Sequence, residues 1–245
     1  GQYRIDGVLT IPADVTLEGV SSDYHFPNGT KGSVLMTYHG RGNEDAEPFI
    51  TILMNGTLRG VTIIHPEQIA TDICPYPWTI RVRDKGNVLD VGIANAYNGI
   101  DCGTYMNGGT CIRNLYMCAL RRGLYIDRAN DIGRYENIQI MLWAWIRIGE
   151  PWNPTAEDRA AFIKYVMANL EGFIIGRTDW AYMTNCFVLR PHVGFHFIET
   201  PVRPEEDQTY TINQSNILIT QSGSDLGKVA VRIDKVQEHA GISFE

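Results

Sequence analysis

Short runs in which apolar and polar residues alternate recur along the chain, and this period of two is typical of β-strands that bury one face. The clearest runs each begin with a glycine and cover residues 99–102 (GIDC), 123–126 (GLYI) and 194–197 (GFHF). The alternation predicts six inward side chains, namely Ile100, Cys102, Leu124, Ile126, Phe195 and Phe197. It predicts three outward side chains, namely Asp101, Tyr125 and His196, and we expect Arg147 to share this outward column with Asp127 nearby. We therefore expect an all-β protein built from short strands.

A second feature, an asparagine or aspartate within a strand-like run, recurs in step with these glycines. The positions are Asp90, Asn114, Asn137, Asn185 and Asn216. The first two steps are 24 and 23 residues long (114 − 90 and 137 − 114), the third is 48 and the last is 31. A step of 48 residues corresponds to two repeats, or to one repeat that carries an insertion.

In two earlier repeats, Gly19 and Gly60 occupy the position that asparagine or aspartate occupies in the later ones. Asparagine side chains that stack at a corner of a sheet bond one another and the turn backbone, so we interpret this column as structural.

One repeat of this kind cannot bury its apolar face alone, and stacking on its neighbours buries that face and pairs the backbone. The sequence therefore predicts a right-handed parallel β-helix, a solenoid that forms a single domain over residues 1–245 and is cut within a repeat at both ends. A leucine-rich repeat is disfavoured because its L-x-x-L-x-L spacing and its recurring helix are absent. A β-propeller would need longer repeats of four strands.

The repeat is interrupted once, and we expect a short helical insertion at residues 150–171. Within it, residues 156–169 have near-helical apolar spacing, and Thr155 with Asp158 resembles a capping box. Long insertions from solenoid repeats often form the walls of binding grooves.

Composition narrows the function classes. The 245 residues carry a formal net charge of −7, which disfavours nucleic-acid binding because that needs a basic face. No apolar run approaches the roughly 18 residues needed to cross a membrane. The five cysteines, an odd number, give no complete disulfide framework. We expect buried thiols at Cys102, Cys118 and Cys186, while one bridge from Cys111 to Cys74 or Cys102 stays open.

The first nineteen residues, GQYRIDGVLTIPADVTLEG, resemble the opening repeat of pectin-lyase-like β-helix proteins. That resemblance implies a carbohydrate as the ligand, because the superfamily includes polysaccharide hydrolases, lyases, epimerases and phage tailspikes. The polygalacturonase motifs and the calcium carboxylates of pectate lyases are not recognisable, so the resemblance selects no reaction.

Four acids are candidate catalytic residues: Asp101, Asp127, Glu150 and Asp179. Adjacent strands lie about 4.8 Å apart, so carboxylates one or two repeats apart, such as Asp101 and Asp127, would be separated by roughly 5–10 Å. Glycosidases place their paired carboxyl groups within this range. An ordinary solvated face is the competing interpretation of this column.

Substrate-binding candidates are Arg147, Arg177, His196, Trp152, Trp180, Tyr125 and Tyr182. Aromatic faces stack on sugar rings, while guanidinium groups and imidazoles bind hydroxyls or uronate carboxylates. The alternative is that the tryptophans attach the insertion to the solenoid and that Arg177 pairs with Asp179. Residues 38–48, which carry three acids, Arg41 and His39, form a third candidate region without the spacing of a calcium loop.

These observations favour a secreted, periplasmic or cell-surface glycoside hydrolase that acts on a polysaccharide or oligosaccharide and needs no cofactor or metal. A polysaccharide lyase and a non-catalytic carbohydrate-binding or adhesion β-helix remain as alternatives. The protein is expected to be a monomer or, if it resembles tailspikes, a trimer.

Overall fold

The computed structural model describes residues 1–20, 27–201, 215–238 and 241–245. Within these ranges strands dominate, and eighteen of them belong to one sheet whose strand pairs are parallel. The protein is therefore all-β, as predicted, and the described ranges contain two helices rather than the single one expected. Neither helix is long and apolar enough to cross a membrane.

The strands form three stacks, in which each strand pairs with a strand of the next repeat. The first stack contains β1 (Gln2–Ile5), β4 (Val34–Thr37), β7 (Thr62–Ile64) and the middle of β9 (Asn87–Cys102). The second stack begins with β2 (Leu9–Ile11), β5 (Ile50–Ile52) and β8 (Trp78–Val82). It continues through the ends of β9 and of β10 (Cys111–Ile126). It then runs through β12 (Glu171–Ile175), β14 (Val193–Phe197) and β17 (Val229–Ile233).

The third stack begins with β3 (Thr16–Glu18), β6 (Thr57–Arg59) and the starts of β9 and β10. It continues through β11 (Arg134–Ile140), β13 (Ala181–Leu189), β15 (Ile217–Thr220) and β18 (Ile242–Phe244). The first stack continues from the middle of β9 through the middle of β10 and the ends of β11 and β13 to the short strand β16 (Gly223–Asp225). The long strands take part in more than one stack because their successive segments pair with different partners.

The core lies between the stacks and contains the inward side chains that the alternation predicts. All six predicted inward residues are at most 1% exposed. Phe173 and Phe195 stack from adjacent repeats, with ring centroids 4.9 Å apart. The glycines that precede these strands lie where adjacent repeats approach closely, since a Cβ on Gly99 would come within 2.5 Å of the Gly123 carbonyl oxygen. Glycine is therefore required there by space.

The predicted asparagine column is present, and we call Asp90, Asn114, Asn137 and Asn185 the asparagine ladder. Asn114 Nδ2 donates to Asp90 Oδ1 at 2.7 Å, and Asn137 Nδ2 donates to Asn114 Oδ1 at 2.9 Å. Asn185 Nδ2 continues the series by donating to Asn137 Oδ1 at 3.0 Å. All four residues have φ between 53° and 57°, the left-handed region that asparagine and aspartate tolerate best after glycine.

The earlier repeats fill the same point with glycine, as expected. Arg59 pairs with Leu89, so Gly60, with φ of 65°, is level with Asp90. Glu18 pairs with Arg59 and places Gly19 level with Gly60.

The prediction that Asn216 belongs to this column was wrong. Thr184 pairs with Thr220, so the residue level with Asn185 is Gln221, whose φ of 50° is also positive. The step is therefore 36 residues (221 − 185), because the connection between β14 and β15 adds residues that earlier repeats lack. Asn216 instead precedes β15, and its backbone N–H donates to Thr178 Oγ1 at 2.9 Å.

The interruption of the repeat is one insertion within a single repeat, since β11 pairs directly with β13 and β10 with β12. It contains α1 (Trp143–Ile146) and α2 (Asp158–Asn169). The predicted helix is thus confirmed, although it begins at Asp158. Thr155 and Asp158 form the expected cap, because Thr155 Oγ1 donates to Asp158 Oδ2 at 2.8 Å and accepts from the Asp158 N–H at 3.2 Å. The insertion starts earlier than residue 150, directly after β11.

The five cysteines are unpaired. Cys102, Cys118 and Cys186 are buried as expected, and neither of the bridges considered for Cys111 is formed.

Candidate functional site

One outward residue of each repeat is aligned on the second stack, and we call this line the outer column. It runs through Thr51, Arg81, Asp101, Tyr125, Ile174, His196 and Arg232. Three residues predicted to share this face, Asp101, Tyr125 and His196, therefore do so. The prediction for Arg147 was wrong: it follows α1, and Ile174 takes its place because the insertion displaces the chain.

Asp101 is not solvated but fully buried. Its Oδ2 pairs with Arg81 Nε at 2.7 Å, and its Oδ1 accepts the backbone N–H groups of Gly103 and Thr104 at 2.9 and 2.8 Å. The carboxylate therefore anchors the turn after β9, and each oxygen already has a charged or backbone donor.

Asp127, the proposed partner of Asp101, is also completely buried. Tyr125 Oη, Thr200 Oγ1 and the backbone N–H of Arg177 donate to it at 2.5, 2.5 and 2.8 Å. Arg128 adds its backbone N–H at 2.7 Å and its Nη1 at 3.1 Å. The expectation that Asp101 and Asp127 form a solvent-facing carboxylate pair was therefore wrong. Both are covered by turn residues that show no periodicity in the sequence.

The hydrogen bonds around Asp127 also determine the environments of Tyr125 and Arg177. Burial, followed by the adjacent Asp127 carboxylate, raises the pKa of Tyr125 far above its ordinary value of 10.0. The side chain of Arg177 is buried rather than presented to solvent, and its backbone N–H also donates to Thr200 Oγ1 at 2.6 Å.

His196 lies between two carboxylates of neighbouring strands. Its Nε2 is 2.8 Å from Asp234 Oδ2, and its Nδ1 is 3.3 Å from Glu171 Oε1 in an ion pair. Contact with Glu171, and then with Asp234, raises the pKa of His196 despite its burial. The same contact lowers the pKa of Glu171, and the bonds from His196 and Arg232 lower that of Asp234. Sequence reasoning missed both carboxylates because each lies outside the period-two alternation that identified His196.

A group of arginine and aromatic side chains surrounds the outer column, and most of them were not singled out from the sequence. Arg83 and Arg81 lie over the Tyr105 ring at 4.1 and 5.7 Å from its centroid. Arg122 lies 5.8 Å from the Trp78 ring centroid. We call Trp78, Arg81, Arg83, Tyr105, Arg122 and Tyr125 the arginine–aromatic face. Trp78 and Tyr125 are stacked, with centroids 6.2 Å apart and planes 19° apart, so the rings and guanidinium groups form one surface.

A sequence signal for this face was available in the strand residues 78–82 (WTIRV), where Arg81 follows an inward isoleucine just as Asp101 does. The 38–48 loop reaches the edge of the face, since Glu44 forms ion pairs with Arg121 and, at 3.2 Å, with Arg122. An anionic ligand at Arg122 must therefore compete with the carboxylate of Glu44.

The predicted residues of the insertion lie away from this face. Glu150 is exposed, and the guanidinium of Arg147 lies 5.0 Å from the Trp143 ring centroid. The backbone carbonyl of Trp152 accepts a hydrogen bond from Trp145 Nε1 at 2.9 Å, and its side chain packs against the core. Trp145 is buried against Phe162 of α2 and belongs to the same hydrophobic core as the strand residues, so these tryptophans do attach the insertion to the sheet.

A third group lies at the start of β13. Asp179 and Trp180 are exposed, and Trp180 Nε1 donates to Tyr182 Oη at 2.6 Å. Trp180 has φ of 64°, which is unusual for a large side chain. The structure thus divides the predicted site residues among three places and does not bring the four acids together.

Among the described ranges, no cluster of three or more His, Cys, Asp or Glu side chains is arranged to hold a metal ion. No known protein family matches the chain, and no curated protein or solved structure is significantly similar to it.

Proposed function

We propose that this chain is a right-handed parallel β-helix that binds an acidic polysaccharide across the arginine–aromatic face. The in-register stacking of strands from successive repeats and the glycine and asparagine corners support the fold part of this proposal. A secreted or cell-surface location, in which the protein is a monomer or trimer, agrees with such a ligand.

The observation that carries the binding proposal is the juxtaposition of Arg81, Arg83 and Arg122 with three aromatic rings on neighbouring repeats. These arginines lie close together in a chain of net charge −7, and two of them already have an acidic partner, Asp101 for Arg81 and Glu44 for Arg122. Guanidinium groups bind carboxylates in bidentate geometry, and the exposed ring of Tyr105 supplies stacking area for a sugar ring, while Trp78 is buried beneath the face. A polymer with one carboxylate per sugar would meet these groups on successive strands, which repeat at about 4.8 Å.

Cleavage is a second candidate, and a different set of residues supports it. A glycosidase needs carboxyl groups that exchange protons with the substrate or with water. Asp101 and Asp127 are too deeply buried and hydrogen-bonded for that role. Glu171 and Asp234 are partly exposed on either side of His196, on the same stack as the arginines, and are the better placed acids.

The binding proposal is tested with polygalacturonate, using neutral amylose as the control polymer. Arg83→Gln and Arg122→Gln each remove one charge from the face. Arg113→Gln removes the same charge from an exposed position of β10 outside it. We expect each face variant to bind polygalacturonate about fivefold to tenfold more weakly, as for loss of one charge-assisted hydrogen bond, with the Arg113 variant unchanged. Equal affinity of all three variants, or equal affinity for amylose, would contradict the proposal.

The reaction products separate binding from cleavage. Incubation of the protein with polygalacturonate is followed by assays for new reducing ends and for unsaturated uronate ends. New reducing ends without unsaturated ends indicate hydrolysis, and both together indicate elimination. Binding with neither product identifies a carbohydrate-binding protein.

A further inference from the structure

A pocket of about 160 Å³ lies between the segment after β7 and the helical insertion, and its lining includes no residue of the arginine–aromatic face. Its apolar lining consists mainly of Ile64, Ile69, Trp145, Pro151, Trp152 and Pro154. Because one water occupies about 30 Å³ in the liquid, the pocket holds roughly five waters or one molecule of similar total volume. The pocket is smaller than the roughly 300–1,000 Å³ of drug-sized ligand sites, so it suits a molecule no larger than about one sugar ring, and its lining mixes apolar and polar side chains.

Three polar atoms of the lining side chains have no hydrogen-bond partner among the described residues. They are His65 Nδ1, Trp152 Nε1 and Asn153 Oδ1, which belong to lining residues but lie just beneath the pocket surface, so a ligand bonds them once these side chains turn toward it. His65 is almost fully buried, with only its Nε2 engaged, at 3.1 Å from Thr79 Oγ1. Buried polar groups without partners are costly, and a ligand that satisfies them is favoured for that reason.

The chemistry of these atoms selects the kind of ligand. The indole N–H only donates, the amide oxygen only accepts, and a neutral imidazole nitrogen does one or the other, so the complement is a group that both donates and accepts. A hydroxyl group does both. Trp152 and Asn153 lie in the connection between the two helices, where side chains adjust to a ligand without disturbing strand pairing.

Charge excludes an anionic ligand. The only acidic or basic side chain in the lining is Asp158, whose carboxylate already accepts a hydrogen bond from Thr155. Burial lowers the pKa of His65 to about 3, so its imidazole is uncharged at neutral pH. No cation is therefore present to neutralise a carboxylate, in contrast to the arginine–aromatic face.

We propose that this pocket binds a single uncharged sugar ring or a polyol of similar size. Its hydroxyl groups take up Trp152 Nε1 and Asn153 Oδ1, and its C–H faces pack against the two indoles. This site is independent of the acidic-polysaccharide face and of any cleavage there.

The test is a titration of the whole chain with D-galactose, D-glucose and D-galacturonate, followed by calorimetry and by tryptophan fluorescence. We expect at least one neutral sugar to bind and to change the fluorescence, because two tryptophans line the pocket. Trp152→Phe keeps the ring and removes the donor, and Asn153→Ala removes the acceptor. Each is expected to weaken binding of the neutral sugar about fivefold. Trp143→Phe, outside the lining, and Arg122→Gln, on the other face, should leave it unchanged.

Asn153 lies in a partly exposed connection, so its variant reports on the site even if Trp152→Phe fails to fold. The proposal is overturned if neither neutral sugar binds, if both pocket variants bind as tightly as the parent, or if galacturonate binds as tightly as galactose. If Arg122→Gln weakens polygalacturonate binding and leaves galactose binding unchanged, the two sites are independent of each other.

Discussion

The asparagine ladder and the outer column are both polar lines that place one residue in each repeat, yet they differ in chemistry. In the ladder, each amide donates to the residue of the preceding repeat, and the side chains are an aspartate and three asparagines. The outer column changes from arginine to aspartate, tyrosine, isoleucine and histidine. Apart from the Arg81–Asp101 ion pair, its members find their partners in neighbouring turns, loops and strands.

This difference separates scaffold from candidate site. A line whose members bond one another is required by the stacking of repeats, and its uniformity follows from that geometry. A line whose members vary in charge and shape is not required by stacking, and several of its side chains reach a surface. In a repeat protein, variation at a repeating position is therefore a better indication of a site than the repetition itself.

The largest expected effect is at Asp127, which we assign to the scaffold although it borders the outer column. Asp127→Ala leaves the guanidinium of Arg128 buried without its carboxylate, and we expect a loss of about 3–5 kcal/mol in the free energy of unfolding. Urea unfolding measures the loss. Asp179→Ala, at an exposed position, should change stability by less than about 0.5 kcal/mol. Equal stability of the two variants would show that Asp127 does not stabilise the fold.

A smaller loss is expected in the ladder. Asn137→Ala removes the hydrogen bonds to Asn114 and Asn185. It also places an alanine at φ of 53°, a left-handed conformation that alanine adopts less readily than asparagine. We expect the free energy of unfolding to fall by about 2–3 kcal/mol. Asn137→Gly loses the same bonds but adopts this φ freely, so its cost should be about 1 kcal/mol lower. If the glycine variant were the less stable of the two in urea unfolding, backbone strain would not govern this corner.

The smallest stability effect depends on pH and concerns His196. The pKa of His196 is higher in the folded state than its ordinary value of 6.5. The protonated ring therefore gives its full stabilisation at pH values below 6.5. This stabilisation disappears as the pH rises through the pKa of the folded state. Glu171, whose pKa is lowered from 4.5, loses its contribution as pH falls through the folded value. Arg122 and Arg232 are the nearby cations.

We therefore expect His196→Gln to be less stable than the parent by about 1 kcal/mol between pH 4.5 and 6.5, with a smaller difference at higher pH. Unfolding curves across this range measure it. A difference that grows above pH 7 would mean that the neutral imidazole is the form bound by the carboxylates.

The sequence predicted the repeating parts of the molecule and missed the parts that depend on loops. Inward residues such as Phe195 and ladder residues such as Asn137 follow from period and spacing, because local geometry alone determines them. The burial of Asp101 depends on Arg81 and on a turn that covers it, and neither has a periodic signal. Arg147 was misplaced because the insertion begins directly after β11, where an apolar segment still looks like a strand.

Chemical modification of arginines most directly tests the central claim, that the arginine–aromatic face binds an acidic polysaccharide. Phenylglyoxal labelling with and without polygalacturonate, read by peptide mass spectrometry, compares Arg83 and Arg122 with Arg113 in one sample. We expect the polymer to protect Arg83 and Arg122 and to leave Arg113 equally labelled. Equal labelling of all three arginines at a polymer concentration that saturates binding would contradict the account.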